Sequence, residues 1–422
     1  VRNKTTSQSD TPRRSWWRRV RLPLAILAAT LVLVWALAPR ETPAPARVSA
    51  QARAQGGHAF FSPLKSGAGL PLPDARAQRR RELVGNYQLA DHTYCSYRQT
   101  TQYPFNSRPI AEHADQANPN APVTEMRPMH LQDGGADPAV QLQTSQSRVY
   151  MASNEAVAFS IRAVDANGQT LPLVITRALA QGITYNGTRA SPQVTLPFVD
   201  DGSGADPVPN DGAFAGILAP AQSGLAGFAG TIRTEVRYSV GGKSGALFFD
   251  VIYTPELPAV WSGPPREAVE NGSLNFILPA EVRMPGRYVI QGRVDDAGGR
   301  PFALLSFNDV LGPGPNNVRL IMFGKLMRDQ DAALPLTLRD VDGYLLKENA
   351  DPDRAMMPRL EGKVYTSKAG SNKGFSDAEW QSEERTRYLT EFSKDVANAK
   401  NALARFDPFA PLPPSECAPK AP

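Results

Sequence analysis

The sequence predicts a mostly β protein: two β-sandwich domains behind an N-terminal transmembrane helix, with one C-terminal amphipathic helix. Three observations predict this. Proline makes up 38 of the 422 residues, nearly twice the usual ~5%. Because proline breaks helices and central strands, a large helical bundle is excluded. Apolar and polar residues alternate with a period of two in repeated short runs from about Ser147 onward, the signature of half-buried strands. A single uncharged apolar run, Leu22 to Ala38, stands near the N-terminus.

Leu22–Ala38 (LPLAILAATLVLVWALA) has 17 residues, the short end of the ~17–25 that cross a bilayer as a helix. The arginine-rich segment RRSWWRRVR (13–21) precedes it. Basic excess marks the cytoplasmic flank, so residues 1–21 read as a cytoplasmic tail, 22–38 as a signal-anchor, and the rest as extracytoplasmic. The expected location is the inner membrane, single-pass, with the C-terminal domains in the periplasm. A cleaved signal peptide is the competing reading. Ala36-Leu37-Ala38 offers a small-x-small site, but Pro39 follows it directly. Arg13-Arg14 also resembles a twin-arginine export signal.

Charge supports the same division. Residues 1–40 carry eight basic side chains and one acid, while the remainder nets −2. A nucleic-acid binder would carry its excess on the folded domain, so that class is excluded. The two cysteines, Cys95 and Cys417, stand outside any CxxC; in an oxidising compartment an even pair suggests a disulfide between them.

Residues 39–80 are rich in Pro, Ala and Gly and read as a linker. Residues 81–146, with scattered aromatics (Tyr87, Tyr94, Tyr97, Tyr103, Phe105) among prolines, read as irregular but packed structure with room for one or two short strands. The first sandwich is expected over 147–256. Its clearest signal is Ile232–Val240, which alternates with Arg233, Glu235 and Arg237, turns at Gly241-Gly242 and returns through Leu247–Tyr253 as a hairpin. The second is expected over 266–350, after the Pro-rich stretch 255–265. RAVDANGQTLPL in the first set echoes GRVDDAGGRPFAL in the second. Repeated strands without intervening helices imply sandwiches.

Near the C-terminus the period changes. Ser376 stands three residues before Glu379, a capping-box pattern. Trp380, Tyr388, Phe392, Val396, Ala399 and Leu403 then form one apolar stripe. A helix is expected over 376–406, docked on the second sandwich, followed by a Pro-rich tail over 407–422.

Catalytic motifs are not found. The four histidines (His58, His92, His113, His130) form no HExxH and no i, i+4 pair, and there is no GxSxG elbow. Gly242-Lys243-Ser244 lacks the first glycine of a phosphate loop and sits between two strands. Asn186-Gly187-Thr188 and Asn271-Gly272-Ser273 match glycosylation acceptors but also read as turns. No catalytic residue and no enzyme activity are therefore assigned. The aromatics of 87–105 could stack on sugars, and core packing is the other reading.

One loop stands apart. Asp200, Asp201, Asp206 and Asp211 fall within 12 residues, with Gly202, Gly204 and Gly212 between them. Carboxylates and turn carbonyls that close can hold a hard cation such as calcium. Asp and Asn also close turns on their own backbone, and no regular Asp-x-Asp-x-Asp spacing is present. Both readings stay open. With the strand VTLPFV before it and the strand-like FAGIL after it, this loop resembles that of exported bacterial proteins of the choice-of-anchor X type. Those proteins carry an Ig-like β-sandwich with a comparable DDGxxGD…xDG loop. The resemblance covers 150–255 and, more loosely, 286–340. It implies Ig-like sandwiches and an envelope-exposed module without a defined catalytic site; here the N-terminal helix is the candidate anchor.

The expected function is thus a membrane-anchored, envelope-exposed interaction or scaffold protein with a protein or glycan partner. The alternatives are a carbohydrate-binding envelope protein and a hydrolase whose residues converge only in three dimensions.

Overall fold

A computed structural model describes residues 75–184, 192–409 and 411–418. The signal-anchor assignment, Leu22–Ala38, and the acceptor Asn186-Gly187-Thr188 lie outside these residues. No helix among the described residues is long and apolar enough to cross a membrane. Residues Pro73–Pro422 form one compact unit.

The chain runs through α1 (Ala75–Thr100), β1 (Ser107–Pro109), a 3-10 turn over Ile110–Gln116, β2 (Val123–His130), β3 (Ala136–Gln146), β4 (Tyr150–Ala152), β5 (Val157–Val164), β6 (Leu173–Gly182), β7 (Gln193–Thr195), β8 (Ala213–Leu218), β9 (Gly230–Val240) and β10 (Lys243–Thr254). It continues through β11 (Ala259–Trp261), β12 (Arg266–Glu270), β13 (Ser273–Val282), β14 (Gly286–Asp295), β15 (Pro301–Leu311), β16 (Gly314–Met322), α2 (Gly324–Asp329), β17 (Thr337–Leu346), β18 (Arg354–Met356), β19 (Leu360–Thr366) and α3 (Glu383–Phe406).

Four sheets pair into two sandwiches. In the first, β2-β3-β5-β8 faces β4-β10-β9-β6-β7, and the inward side chains of both close one core. Phe159 of β5 stacks on Phe249 of β10 there, ring centroids 4.6 Å apart. The β9–β10 hairpin is antiparallel from Val240↔Lys243 to Gly230↔Tyr253, as the alternation predicts. Its turn glycines, Gly241 and Gly242, have φ of 55° and 80°, which two-residue hairpin turns demand. In the second sandwich, β13 with β11, β12 and β16 faces the sheet β1-β15-β14-β17-β18, with β19 also on β17.

Several boundaries differ from the sequence reading. Residues 81–146 are not irregular. They contain most of α1, whose first residues also end the supposed 39–80 linker at Ala75. The stretch between Pro73 and Pro104 contains no proline, and Leu83, Tyr87, Asp91 and Cys95 are buried at a four-residue spacing. The charged Asp91 in that stripe breaks the apolar pattern and hides the helix. The first sandwich begins before 147, because β2 and β3 belong to it. The second extends past 350 to β18 and β19 and recruits β1 from before the first.

The C-terminal helix starts at Glu383, not 376. Ser382 is the N-cap, its hydroxyl accepting from the Arg385 N–H at 3.0 Å. Ser376 instead accepts from Ala378 N, a local turn, and the Trp380 N–H goes to the Gln102 carbonyl. Nor does α3 dock on the second sandwich. It lies antiparallel on α1: Tyr97 meets Tyr388 and Phe392 at 5.6 and 5.3 Å, and Leu83, Tyr87 and Leu403 are buried together at the other end. Two helices with half an apolar face each bury it most fully against one another.

The two sandwiches meet at β4 and β18. The Arg354 guanidinium lies between the rings of Tyr150 and Tyr344, 4.5 and 4.7 Å from their centroids. Met356 N–H donates to Thr254 Oγ1, Arg359 to the Tyr150 carbonyl, and Arg148 bridges Glu155 and Glu361. A second polar seam holds the 110–117 segment. Buried Arg293 donates to the carbonyls of Gln116 and Asp340 and pairs with Asp342, while Arg339 joins Asp295, Asp340 and the Ala117 carbonyl.

Candidate functional site

The acidic loop connects β7 to β8 across the end of the first sandwich, entered and left through the Val199↔Ala215 bridge. Four left-handed residues bend it: Gly202, Gly204, Asn210 and Gly212, with φ of 76°, 63°, 57° and 83°. At Gly212 a Cβ would lie 2.4 Å from Thr170 Cγ2, so close approach as well as φ requires glycine there.

The folded loop gathers three of the four aspartates. One carboxylate oxygen each of Asp200, Asp206 and Asp211 lie within 4.8 Å of one another. Asp201 is not in the group: its Oδ1 takes the Ser203 N–H at 2.9 Å and the Ser203 hydroxyl at 2.6 Å. Those two bonds hold its carboxyl below the usual aspartate range.

Backbone amides meet the three clustered carboxylates. Asp200 accepts from Asp211 N and Gly212 N at 3.1 and 2.9 Å. Asp206, 3% exposed, accepts from Gly202 N and Val208 N at 2.7 and 3.2 Å. Asp211 accepts from Ala213 N at 2.8 Å. Each N–H offsets part of the repulsion between the acids, and each carboxylate keeps lone pairs for a further cation. The donor set is all oxygen, as a hard cation prefers.

Beside the loop, the outer face of the β2-β3-β5-β8 sheet forms an open hollow of about 510 Å³, lined by Thr124, Met126, Gln143, Ser145, Ser160 and Arg162 among others. Arg162 donates to Thr170 Oγ1 at 2.9 Å, and Thr170 is the residue that Gly212 approaches. Sequence reasoning misses this hollow because it places β2 and β3 in an irregular region. The outward Thr124/Met126 and Gln143/Ser145 pairs are the period-two signal that could have found it.

The two cysteines are joined in the structure, with Cα atoms 5.3 Å apart and 322 residues between them in sequence. The Pro-rich tail returns along α1 to make the bond. Buried Asp91 receives the Ser415 hydroxyl at 2.6 Å and Glu416 N at 2.7 Å, and His92 Nδ1 lies 2.8 Å from Glu416. Near the start of α3, Glu379 pairs with Arg98 and with buried Arg385. Burial alone would raise the Glu379 carboxyl, but the two guanidinium groups outweigh it and hold it low.

The aromatic residues of 87–105 are largely taken up by packing. Tyr87 is buried in the helix pair, Tyr97 stacks on α3, and Tyr103 is buried with its hydroxyl donating to Asp329 at 2.9 Å. Phe105 remains exposed. Among the described histidines, His92, His113 and His130 lie in separate elements.

No family model matches the chain, and no curated protein matches it. Among solved structures, it is similar to a DUF4785 family protein of Legionella pneumophila, 14% identical over 54% of this chain and 57% of that one, TM-score 0.36. It is also similar to native E. coli alpha-2-macroglobulin, 14% identical over 58% of this chain and 15% of that one, TM-score 0.24. A third is a chimeric titin Z1Z2 carrying a decorin peptide, 10% identical over 56% of this chain and 94% of that one, TM-score 0.18. The chain thus spans under two thirds of the length of the first two. At these scores none of the three bears on function.

Proposed function

We propose that the chain is a membrane-anchored, envelope-exposed interaction or scaffold protein built on two Ig-like sandwiches. The observation that carries this reading is the junction between the sandwiches. Arg354 between Tyr150 and Tyr344, with the Arg148 and Arg359 bonds around it, makes a stiff two-sandwich arm of a chain that could have kept a flexible hinge. A stiff arm suits a spacer or docking platform. The Cys95–Cys417 bond supports an oxidising compartment, and the arginine-flanked apolar run at 22–38 supports an inner-membrane anchor with the arm in the periplasm. The Asp200–Ala213 loop supports the likeness to choice-of-anchor X proteins.

Paired reporter fusions after Pro422 test the topology. An alkaline phosphatase reporter, active only once exported, is expected to be active, and a cytoplasm-dependent fluorescent reporter dark. The reverse pattern overturns the envelope reading. Recovery of the full chain in the soluble fraction after carbonate washing overturns the anchor. A second reading, calcium in the acidic loop, is favoured by the 4.8 Å convergence of Asp200, Asp206 and Asp211. In that reading calcium would join existing turn bonds and stiffen the end of the arm.

A further inference from the structure

β2, an outer strand of the first sandwich, is paired along its length by β3; past its C-terminal end the Leu131↔Gly245 bridge brings in the start of β10, and over Val123–Arg127 no strand among the described residues pairs with its other edge. Seven of its eight residues are exposed, including Val123 and Met126, with Met126 62% exposed. A bare strand edge of this length is a template for pairing with another chain, and natural sheets usually blunt such edges with charges and proline. β2 carries both, in an order with a consequence. Its centre reads Glu125-Met126-Arg127, followed by Pro128. Glu125 and Arg127 sit on the same face of the strand and pair with each other along it.

We propose that β2 is a self-association edge, joining two copies of this chain through an antiparallel β2–β2 pair centred on Met126. A two-fold axis through Met126 places Glu125 of each copy opposite Arg127 of the other, twice. The same register sets Val123 opposite Met129 and Thr124 opposite Pro128. Directly opposed opposite charges support a strand pair, and like charges oppose it. A parallel in-register pair would set Glu125 against Glu125 and Arg127 against Arg127. The charges therefore select one orientation and one partner chemistry, this same strand. Pro128 of each copy lacks an N–H to donate to the new ladder and discourages other registers.

Such a contact is isologous and closed, as two-fold dimers are. It would merge the two four-stranded sheets into one eight-stranded sheet and bring the hollows of the two copies side by side, with Met126 of each on the shared face. One strand edge buries less area than the ~1,200–2,000 Å² of a stable interface, so the dimer is concentration-dependent and is favoured when copies share a surface. The proposal does not depend on the membrane anchor.

Cross-linking the full chain tests it. The native cysteines are bonded to each other, so Met126→Cys introduces the free thiol. Opposed residues of an antiparallel pair lie ~4.5–5.5 Å apart between Cα atoms, within reach of a disulfide. Mild oxidation is expected to yield a covalent homodimer at least about tenfold more abundant than from Ile217→Cys, on the exposed far edge strand β8. In the Met126→Cys background, Glu125→Arg or Arg127→Glu alone is expected to reduce the dimer about tenfold, since each turns both cross-strand pairs into like charges. Mixing the two single variants is expected to restore it, because each then meets its complement, which also shows that neither variant is misfolded. Equal yields from the two cysteine positions, or failure of the mixture to exceed either variant alone, overturns the proposal. So does a Met126→Cys adduct to other proteins in place of the homodimer.

Discussion

The carboxylates of Asp165 and Asp296 do the same work in the two sandwiches. Asp165 Oδ1 accepts from Asn167 N and Gln169 N at 2.8 and 2.9 Å, and Asp296 Oδ1 from Gly298 N and Arg300 N at 2.9 and 3.0 Å. Each residue's own N–H returns to the carbonyl four residues on, and its carbonyl takes the N–H of a left-handed glycine, Gly168 or Gly299. The sequence echo RAVDANGQTLPL/GRVDDAGGRPFAL is therefore the same turn, built twice by the same aspartate chemistry.

Asp296 is the more buried of the pair and also binds the Arg300 side chain at 3.0 Å. Asp296→Ala is expected to lower unfolding stability by about 1.5–3 kcal/mol, the range for hydrogen bonds to a charged group. Asp165→Ala, at the less buried of the two sites, should cost less. Urea titration of each variant decides the order.

The Asp296 carboxyl is held below its ordinary 3.8, chiefly by the Arg300 N–H, with burial opposing. A carboxyl depressed in the folded state contributes stability that is present above its unfolded pKa and lost as pH falls through the folded value. Acid should therefore destabilise the wild type more steeply below pH ~4 than Asp296→Ala. Parallel melting curves from pH 6 to pH 3 would count against this.

The disulfide joins residues 322 apart in sequence and seats the Pro-rich tail on α1. Cys95→Ser/Cys417→Ser is expected to lose about 2–5 kcal/mol, and its tail should exchange amide hydrogens faster at Ser415–Cys417. Asp91→Ala should free the same tail while leaving the disulfide intact. Hydrogen exchange by mass spectrometry distinguishes the two.

Arg354→Ala removes the ring–guanidinium–ring stack between the sandwiches. Each contact of this kind contributes about 0.5–2 kcal/mol, so calorimetry is expected to change from one transition towards two as the sandwiches uncouple. Arg354→Lys, which cannot stack flat on both rings, should fall nearer to alanine than to wild type. A single unchanged transition in both variants would refute the coupling.

For the acidic loop, calcium binding predicts that chelator lowers the melting temperature of the full chain by several degrees and that added calcium restores it, with Asp200→Asn removing the difference. Turn chemistry alone predicts coincident curves. In either case Gly212→Ala should destabilise the loop, since its φ of 83° and the 2.4 Å approach to Thr170 leave a methyl no room.

The sequence alone was enough to establish the mostly β class, the β9–β10 hairpin, the loop glycines and the echo between the two Asp-containing turns. All of these rest on local rules: alternation along one strand, or a carboxylate reaching its own backbone within four residues. Tertiary structure decided the rest. α1 was hidden because a buried Asp91 interrupts its apolar stripe and finds its partners, Ser415 and Glu416, more than 320 residues away. The C-terminal helix was legible as a helix, but its docking on α1 was not, since an apolar stripe records what it must bury and not against which surface. Asp201 and Asp206 look alike in sequence; one turns to Ser203 and the other joins Asp200 and Asp211 only because four left-handed residues fold the loop back. The exposed edge of β2 likewise has no sequence signature, because an edge is a property of what is missing beside a strand. Pairing between distant segments depends on which surfaces meet once the core closes, and that is settled by packing and loop closure over the whole chain, not by any local pattern.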